Sequence, residues 1–516
     1  MISSVIYGQD KKLSVEIAAY GSGATDSLQP LWNYANKWGE FEHLTKGEGV
    51  FTGKISYRFL DKENISMKAG LSGILKTNIN KSFIQEAYLD MRFWWFDLTI
   101  GMEAYSPVSY DDELTSGMFL INSNARPIPR VTGGIFNYLP LGFTKNWVEI
   151  RGGMSQGWLN EDRGPKGNSN VLLHEKWAYM RIGNIKIQPY AGIVHSALFG
   201  GTKPDGTKIP IDFWATFTAT GSDKIGGGEA TNAAGAHMGM WDFGLYFPVK
   251  QWQAHAYYQK PFADGSGMNI LHLKNKDYYL GATIRRGGSK AITGIAVEWI
   301  KTSWQSGPGT PDPYDPDEGH IVFIRDIEDI DAYMSDRFGI ETDGWGYGEL
   351  RDFLMDEWNH GYNFGGRDDY MNNGLYPAGW TYHGLPTGTP LYHTAQQVSQ
   401  YAEGWNYQNR VIFINNRVNG FHTGIEGNIT ENIFYRFKGT YTKNKGNYGE
   451  EFHGRYSWIE TDNYFFAYDK NQFYTNIELT WKFTKKYPLK LNTAIGYDFG
   501  DLYHSFGGRA GIIYSL

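Results

Sequence analysis

Residues 473–483 read FYTNIELTWKF. The odd positions, Phe473, Thr475, Ile477, Leu479, Trp481 and Phe483, are mostly apolar, and the even ones, Tyr474, Asn476, Glu478, Thr480 and Lys482, mostly polar. Period-two alternation puts one apolar and one polar face on an extended chain. The run matches the roughly 9–11 residues with which a tilted strand crosses a bilayer. TKKYP (484–488) then reads as a turn, after which Leu489, Leu491, Thr493, Ile495 and Tyr497 resume the apolar face against Lys490, Asn492, Gly496 and Asp498. The two segments predict a hairpin of long amphipathic strands.

The design recurs along the chain. Trp94, Phe96, Leu98, Ile100 and Met102 alternate with Trp95, Asp97, Thr99, Gly101 and Glu103; Trp252, Ala254, Ala256 and Tyr258 with Gln253, His255, Tyr257 and Gln259. Ile433, Tyr435, Phe437 and Tyr441 alternate with Arg436, Lys438, Thr440 and Thr442, and Phe506, Ala510, Ile512 and Tyr514 with Gly507, Arg509 and Gly511. A soluble sandwich also alternates. Aromatics near segment ends, short turns that take turns with long polar loops, and the lack of a linker favour a membrane barrel. At ~25–30 residues per strand with its connection, the chain supports about 16–20 strands. The expected fold is therefore all-β, a transmembrane antiparallel barrel of about 18 strands.

Composition agrees. Glycine makes up 64 of 516 residues, well above the usual ~7%, and 36 tyrosines exceed 30 phenylalanines. No run of ~18 apolar residues offers a transmembrane helix. Cysteine is absent, which removes disulfides, thiolate metal sites and a cysteine nucleophile. A net charge of −7 without a basic stripe argues against nucleic acid. Residues 1–8, MISSVIYG, look like the tail of a secretory signal cut after Gly8, leaving 9–516 as one barrel. Residues 307–392 break the pattern and are expected to form a long, partly helical insertion, extracellular or folded into the barrel as a plug. Within it Leu350, Phe353, Leu354 and Trp358 fall at helical spacing.

Four stretches invite a functional reading. INSNARPIPR (121–130) carries Pro127 and Pro129, each of which removes a backbone donor, between flanks that read as strands. The segment should bulge into the lumen or line its rim, with Asn122 and Asn124 capping freed backbone groups and Arg126 meeting carboxylates. The plain alternative is a structural bulge held by an Arg–carboxylate pair. PFADGSGM (261–268) reads as a turn that could present Asp264 to a sugar diol. GRDDYMNNGLYPAGW (366–380) gathers Arg367, Asp368, Asp369, Asn372, Asn373, Tyr376 and Trp380. Planar polar groups for hydroxyls, with aromatic faces for a pyranose ring, are the ingredients of a carbohydrate site; a loop satisfied within itself is the alternative. LHEKWAYMRIG (173–183) is strand text with His174 and Lys176 on one face.

Asn-Ala-Arg-Pro-x-Pro resembles a signature of the Wzi family of outer-membrane capsule assembly proteins. LQPLWNYANKWGEF (28–41), LHEKWAYMRIG, QKPFADGSGM (259–268), GRDDYMNNGLYPAGWTYHGLPTGTPL (366–391) and NNRVNGFHTGIEG (415–427) are similar to that family's Bacteroidetes-type branch. Unlike the enterobacterial branch, this chain has no recognisable separate N-terminal helical segment. The resemblance implies a non-catalytic, lectin-like role in binding, assembling or anchoring capsular or other surface polysaccharide. Candidate contacts are Arg126, Asp264, Arg367, Asp368, Asn372, Asn373, Tyr376 and Trp380. A porin-like channel for a small polar solute is the alternative; a membrane-embedded phospholipase would need a Ser–His pair of which the sequence gives no sign. No HExxH or P-loop pattern occurs, so no catalytic residue, metal or cofactor is expected. The expected setting is the outer membrane of a Gram-negative cell. Outer-membrane lipid and the barrel assembly machinery are the expected partners there, for a monomer.

Overall fold

Side chains that alternate in the sequence alternate across the wall of a closed cylinder. The computed structural model describes residues 12–106, 110–226, 233–263, 268, 275–306, 313–359, 365–366, 368–405, 411–451, 461–483 and 488–516. The suggested signal remnant (1–8), Asp264, Arg367 and most of the TKKYP turn lie outside the described residues.

One antiparallel sheet of 18 strands forms the wall. Its strands are β1 (Leu13–Ala24), β2 (Gly47–Lys62), β3 (Ile65–Lys76), β4 (Phe83–Phe93), β5 (Phe96–Met102), β6 (Arg130–Pro140), β7 (Val148–Leu159), β8 (Val171–Ile182) and β9 (Gln188–Phe199). They continue as β10 (Ala236–Val249), β11 (Trp252–Phe262), β12 (Tyr278–Arg285), β13 (Gly294–Lys301), β14 (Val418–Thr430), β15 (Ile433–Asn444), β16 (Lys470–Lys482), β17 (Leu489–Gly500) and β18 (Ser505–Ser515). Each pairs with its neighbours in sequence, and β1 pairs with β18, Ile17 opposite Tyr514, so no edge is left open. Connections alternate in length. Those at one rim are short, such as 63–64, 94–95, 250–251 and 431–432; those at the other include 25–46, 103–129, 200–235, 302–417 and 445–469. In outer-membrane barrels the long connections face outward from the cell.

The outward set is apolar and exposed: Phe51, Ile55, Leu71, Ile100, Met154, Met180, Leu280, Val297, Ile477, Ile495 and Ile512. Aromatics gather at both rims, Trp94, Trp95, Phe143 and Trp147 at the short-turn rim and Trp158, Trp299, Phe421 and Phe506 toward the other. That belt is the surface a bilayer covers. On the inward face, tyrosines lie across glycines of the next strand. A β-carbon at Gly192 would collide with the ring of Tyr179, and one at Gly281 with Tyr257. Such pairs account for part of the joint excess of glycine and tyrosine.

Every strand contributes buried residues to the lumen, from Ala18 and Val50 through Ser72, Glu86 and Asp97 to Asp498 and Arg509. A water-filled channel would leave these side chains accessible. They are covered because the connections at the long rim fold inward. Residues 25–46, with the short helix α1 (Leu31–Tyr34), pack against β15, β16 and β17: Leu31 N–H donates to Asp498 (2.7 Å), Trp32 Nε1 to Thr440 (3.1 Å), and Asn33 accepts from Asn476 (2.8 Å). Residues 114–125 are buried almost without interruption, and Tyr370, Tyr376, Trp380, Tyr392 and Phe413 of the 302–417 connection join the same core. The upstream flank of INSNARPIPR, read as a strand, is therefore not one. β5 stops at Met102, and Met118–Phe119–Leu120–Ile121 owe their apolarity to the plug core.

Two connections also build outward. Helix α2 (Phe213–Thr218) folds over the barrel's outer wall, its Phe213 and Phe217 rings against His174, and Lys176 donates to the Phe217 carbonyl. His174 and Lys176 do share a face, the outward one. Helices α3 (Ile330–Phe338) and α4 (Tyr347–Asn359) form a separate small core. Leu350 and Leu354 are buried there with Ile324 and Met334, and Phe353 and Trp358 pack around them.

Candidate functional site

The outer mouth of the lumen is organised by INSNARPIPR. Asn122 N–H donates to the Thr387 carbonyl (3.0 Å) and Asn124 Nδ2 to that of Pro386 (3.0 Å). Trp38 N–H donates to the Ser123 carbonyl (2.6 Å), and the Asn122 side chain accepts from Ser123 N–H (2.6 Å). The two asparagines thus tie together three inward segments, 25–46, 103–129 and 365–417. Ile121 pays for the turn with a left-handed φ of 58°, uncommon for a β-branched residue. Pro127 is buried, and the Pro129 carbonyl accepts from Trp158 N–H of β7 (3.0 Å), so the missing proline donors disturb no ladder.

Among the described residues, Arg126 meets no carboxylate. Its guanidinium lies 3.5 Å over the ring of Phe83, a cation–π contact worth roughly 0.5–2 kcal/mol. The arginine of this stretch that forms an ion pair is Arg130, 2.9 Å from Glu175, which also accepts from Ser155 (2.8 Å). Beside them lies a cavity of about 30 Å³, lined by Trp38, Asn122, Arg126, Arg130, Glu175 and Trp380 among others. That is room for about two water molecules.

The second predicted patch is moored to the wall. Asp369 accepts from the side-chain amides of Asn372 (2.9 Å), Asn416 (2.6 Å) and Asn447 (2.7 Å). Asn372 also pairs both ways with the backbone of Phe413, and Asn373 accepts from the N–H groups of Leu375 and Tyr376. Asp368 and Trp380 are buried; Tyr376 is buried too and donates to the Gly200 carbonyl (3.2 Å). The structure ties Asn372 to Asp369 and Asn373 to Tyr376 within the patch, bonds Asp368 to Ala263 and Gln305 of the neighbouring connections, and sets Trp380 at the cavity with Arg126.

Sequence reasoning missed the wall residues that receive this plug. Asp277, at the foot of β12, accepts from the N–H groups of Trp304 (2.8 Å) and Ser306 (3.1 Å) and from the Tyr370 hydroxyl (3.0 Å). Glu42, on the first inward segment, meets Lys76 (2.7 Å) and Lys81 (2.9 Å). Burial pushes the Glu42 carboxyl up, but the two ammonium groups outweigh it and hold it at about 2, against ~4.3 in an unfolded chain. The unfolded chain thus takes up this proton first as pH falls. The latch is fully effective above about pH 4.5 and is lost as pH drops through about 2. Pepsin cleavage within 25–46 is expected to rise across that window in the wild type, and the rise to be absent in Glu42→Gln.

No protein-family model matches the chain, and no curated protein matches it by sequence. Among solved structures, Wzi of Escherichia coli, an outer-membrane protein involved in group 1 capsule assembly and described as a carbohydrate-binding β-barrel, is similar in fold. The TM-score is 0.53 at 12% identity, over 96% of this chain and 83% of that one. OccK5 (OpdH) of Pseudomonas aeruginosa gives a TM-score of 0.45 at 7% identity, over 98% of this chain and 97% of the other. OprD of the same organism gives 0.42 at 8%, over 98% and 94%. The chain is an outer-membrane β-barrel. The likeness to Wzi is one of fold, and Wzi's ligand is not carried over with it.

Proposed function

We propose that this barrel binds surface polysaccharide, capsular or of a related kind, and helps assemble or anchor it at the cell surface without catalysing a reaction. The observation that carries the reading is the filled lumen. Every strand has inward-facing side chains covered by the folded-in connections, although others, such as Lys54 and Arg92, stay exposed; a lumen so occupied suits an anchor with a worked outer surface better than a conduit. The fold shared with Wzi and the motifs of the opening analysis support the same direction. In this reading Asp368, Asn372, Asn373, Tyr376 and Trp380 act by fixing the plug, while Arg126 faces the mouth. Asp264 and Arg367 stay candidate contacts on their chemistry, a carboxylate and a guanidinium that can meet sugar hydroxyls. Each sugar contact is weak, but a polymer engages many copies at once, and avidity multiplies modest affinities.

The rival is a channel for a small polar solute. A deletion strain separates the two. Loss of the barrel is expected to move polysaccharide from the cell-bound to the shed fraction, with solute uptake unchanged. Unchanged shedding with reduced uptake would replace the glycan reading by the channel.

A further inference from the structure

We propose that Arg126 is an acid-sugar receptor: the outer mouth selects glycans that carry a carboxylate, and that carboxylate docks on the Arg126 guanidinium. The inference rests on the polysaccharide reading and adds the chemical class of the ligand.

Arg126 is half-buried, and among the described residues its guanidinium has neither a hydrogen bond nor an ion pair. Its face rests on Phe83, which leaves the in-plane N–H fork, the edge that matches a carboxylate, without a partner. A partly desolvated cation with no counter-charge costs free energy, and its persistence calls for an anion. The carboxylate whose field it feels is Glu42, and Glu42 is already clamped between Lys76 and Lys81. Lys76 also lies 3.5 Å from Glu48. With the paired Arg130 and Glu175 of the cavity wall, four cations therefore face three carboxylates, and the local balance is positive.

The surroundings set the size and kind of group admitted. The cavity beside Arg126 measures about 30 Å³, enough for two water-sized atoms and far too small for a pyranose ring. A carboxylate replaces two waters with its two oxygens. Asn122 lines the same cavity. The ring that bears the carboxylate stays outside. Trp38 lines the cavity, and His383, exposed at a left-handed φ of 49°, stands near Arg126 at the tip of the 381–386 turn. Apolar and aromatic surface next to a charged fork suits a uronate or a pyruvylated sugar, with its flat carboxylate and its apolar ring face.

The test uses the detergent-purified full chain on an array of glycans bearing hexuronate or pyruvate groups, each printed beside its carboxyl-reduced counterpart. Wild type is expected to bind the acidic members about 10- to 100-fold more tightly than the reduced ones, the range for a charge-assisted pair. Arg126→Gln should level the two sets, and Arg126→Lys, which keeps the charge but loses the fork, should retain part of the preference. Unchanged heat-modifiable mobility verifies that each variant is folded. Equal wild-type binding to both sets, or a preference that survives Arg126→Gln, overturns this inference and leaves the polysaccharide reading intact. Wild-type binding to neither set overturns the polysaccharide reading itself.

Discussion

Asp369→Ala is expected to loosen the plug by about 3 kcal/mol while the barrel stays folded. One carboxylate oxygen receives three amides, from Asn372, Asn416 and Asn447, and all three donors are buried. Each donor left short of a partner costs roughly 1–3 kcal/mol, with the low end applying because each amide keeps a second bond. The amides belong to three different segments, 368–380, 413–416 and 445–451, so the loss is felt as detachment and not as local adjustment. Hydrogen exchange read by mass spectrometry should quicken by ~100-fold in peptides covering those segments. Exchange in β2, β3 and β15–β18 should stay slow. Unaltered protection of 368–380 would mean that packing of Tyr370, Tyr376 and Trp380 holds the plug without the polar knot.

Glu478→Ala should weaken the barrel itself. Glu478, on the lumen face of β16, accepts from Arg509 of β18, with Arg436 of β15 at 3.7 Å and Lys37 of the first inward segment at 3.8 Å. The network continues from Arg436 to Glu426 (3.0 Å) and Glu113 (2.6 Å), and from Glu426 to Arg285. Removing the central anion leaves Arg509 and Lys37 without an ion-pair partner among the described residues, while Arg436 keeps Glu426 and Glu113; stranding cations in a partly buried site is a loss of about 3–5 kcal/mol. The temperature at which the folded, SDS-resistant band gives way on a gel is expected to fall clearly in Glu478→Ala and less in Glu478→Asp. An unmoved transition in Glu478→Ala would show that the wall ladder alone sets the barrel's resistance.

The wall was legible in the sequence because period two is a local property. Phe473, Ile477 and Trp481 point to lipid, and Tyr474, Asn476 and Glu478 to the lumen, as their alternation requires. What lay outside reach was pairing at a distance. Leu31 meets Asp498, and Asn124 meets Pro386, across hundreds of residues; no spacing announces such contacts. The apolar run Met118–Ile121 imitates a strand because a plug core and a wall strand both demand apolar side chains, and only closure of the barrel tells them apart. The patch at 366–380 shows the same ambiguity in polar form. Asparagine, aspartate, tyrosine and tryptophan serve a sugar or one another equally well, and in this fold Asp369 and Asn372 bind their own chain. For Arg126 the segment's inward course was readable from its prolines, but the missing carboxylate was not.

Planar-bilayer recording of the purified wild-type chain tests the filled lumen most directly. Reconstituted barrels should pass no steady ion current in salt solution, and Asp369→Ala should show intermittent openings. A stable, open-channel current from the wild-type protein would contradict the plugged barrel and, with it, the surface-anchor function drawn from it.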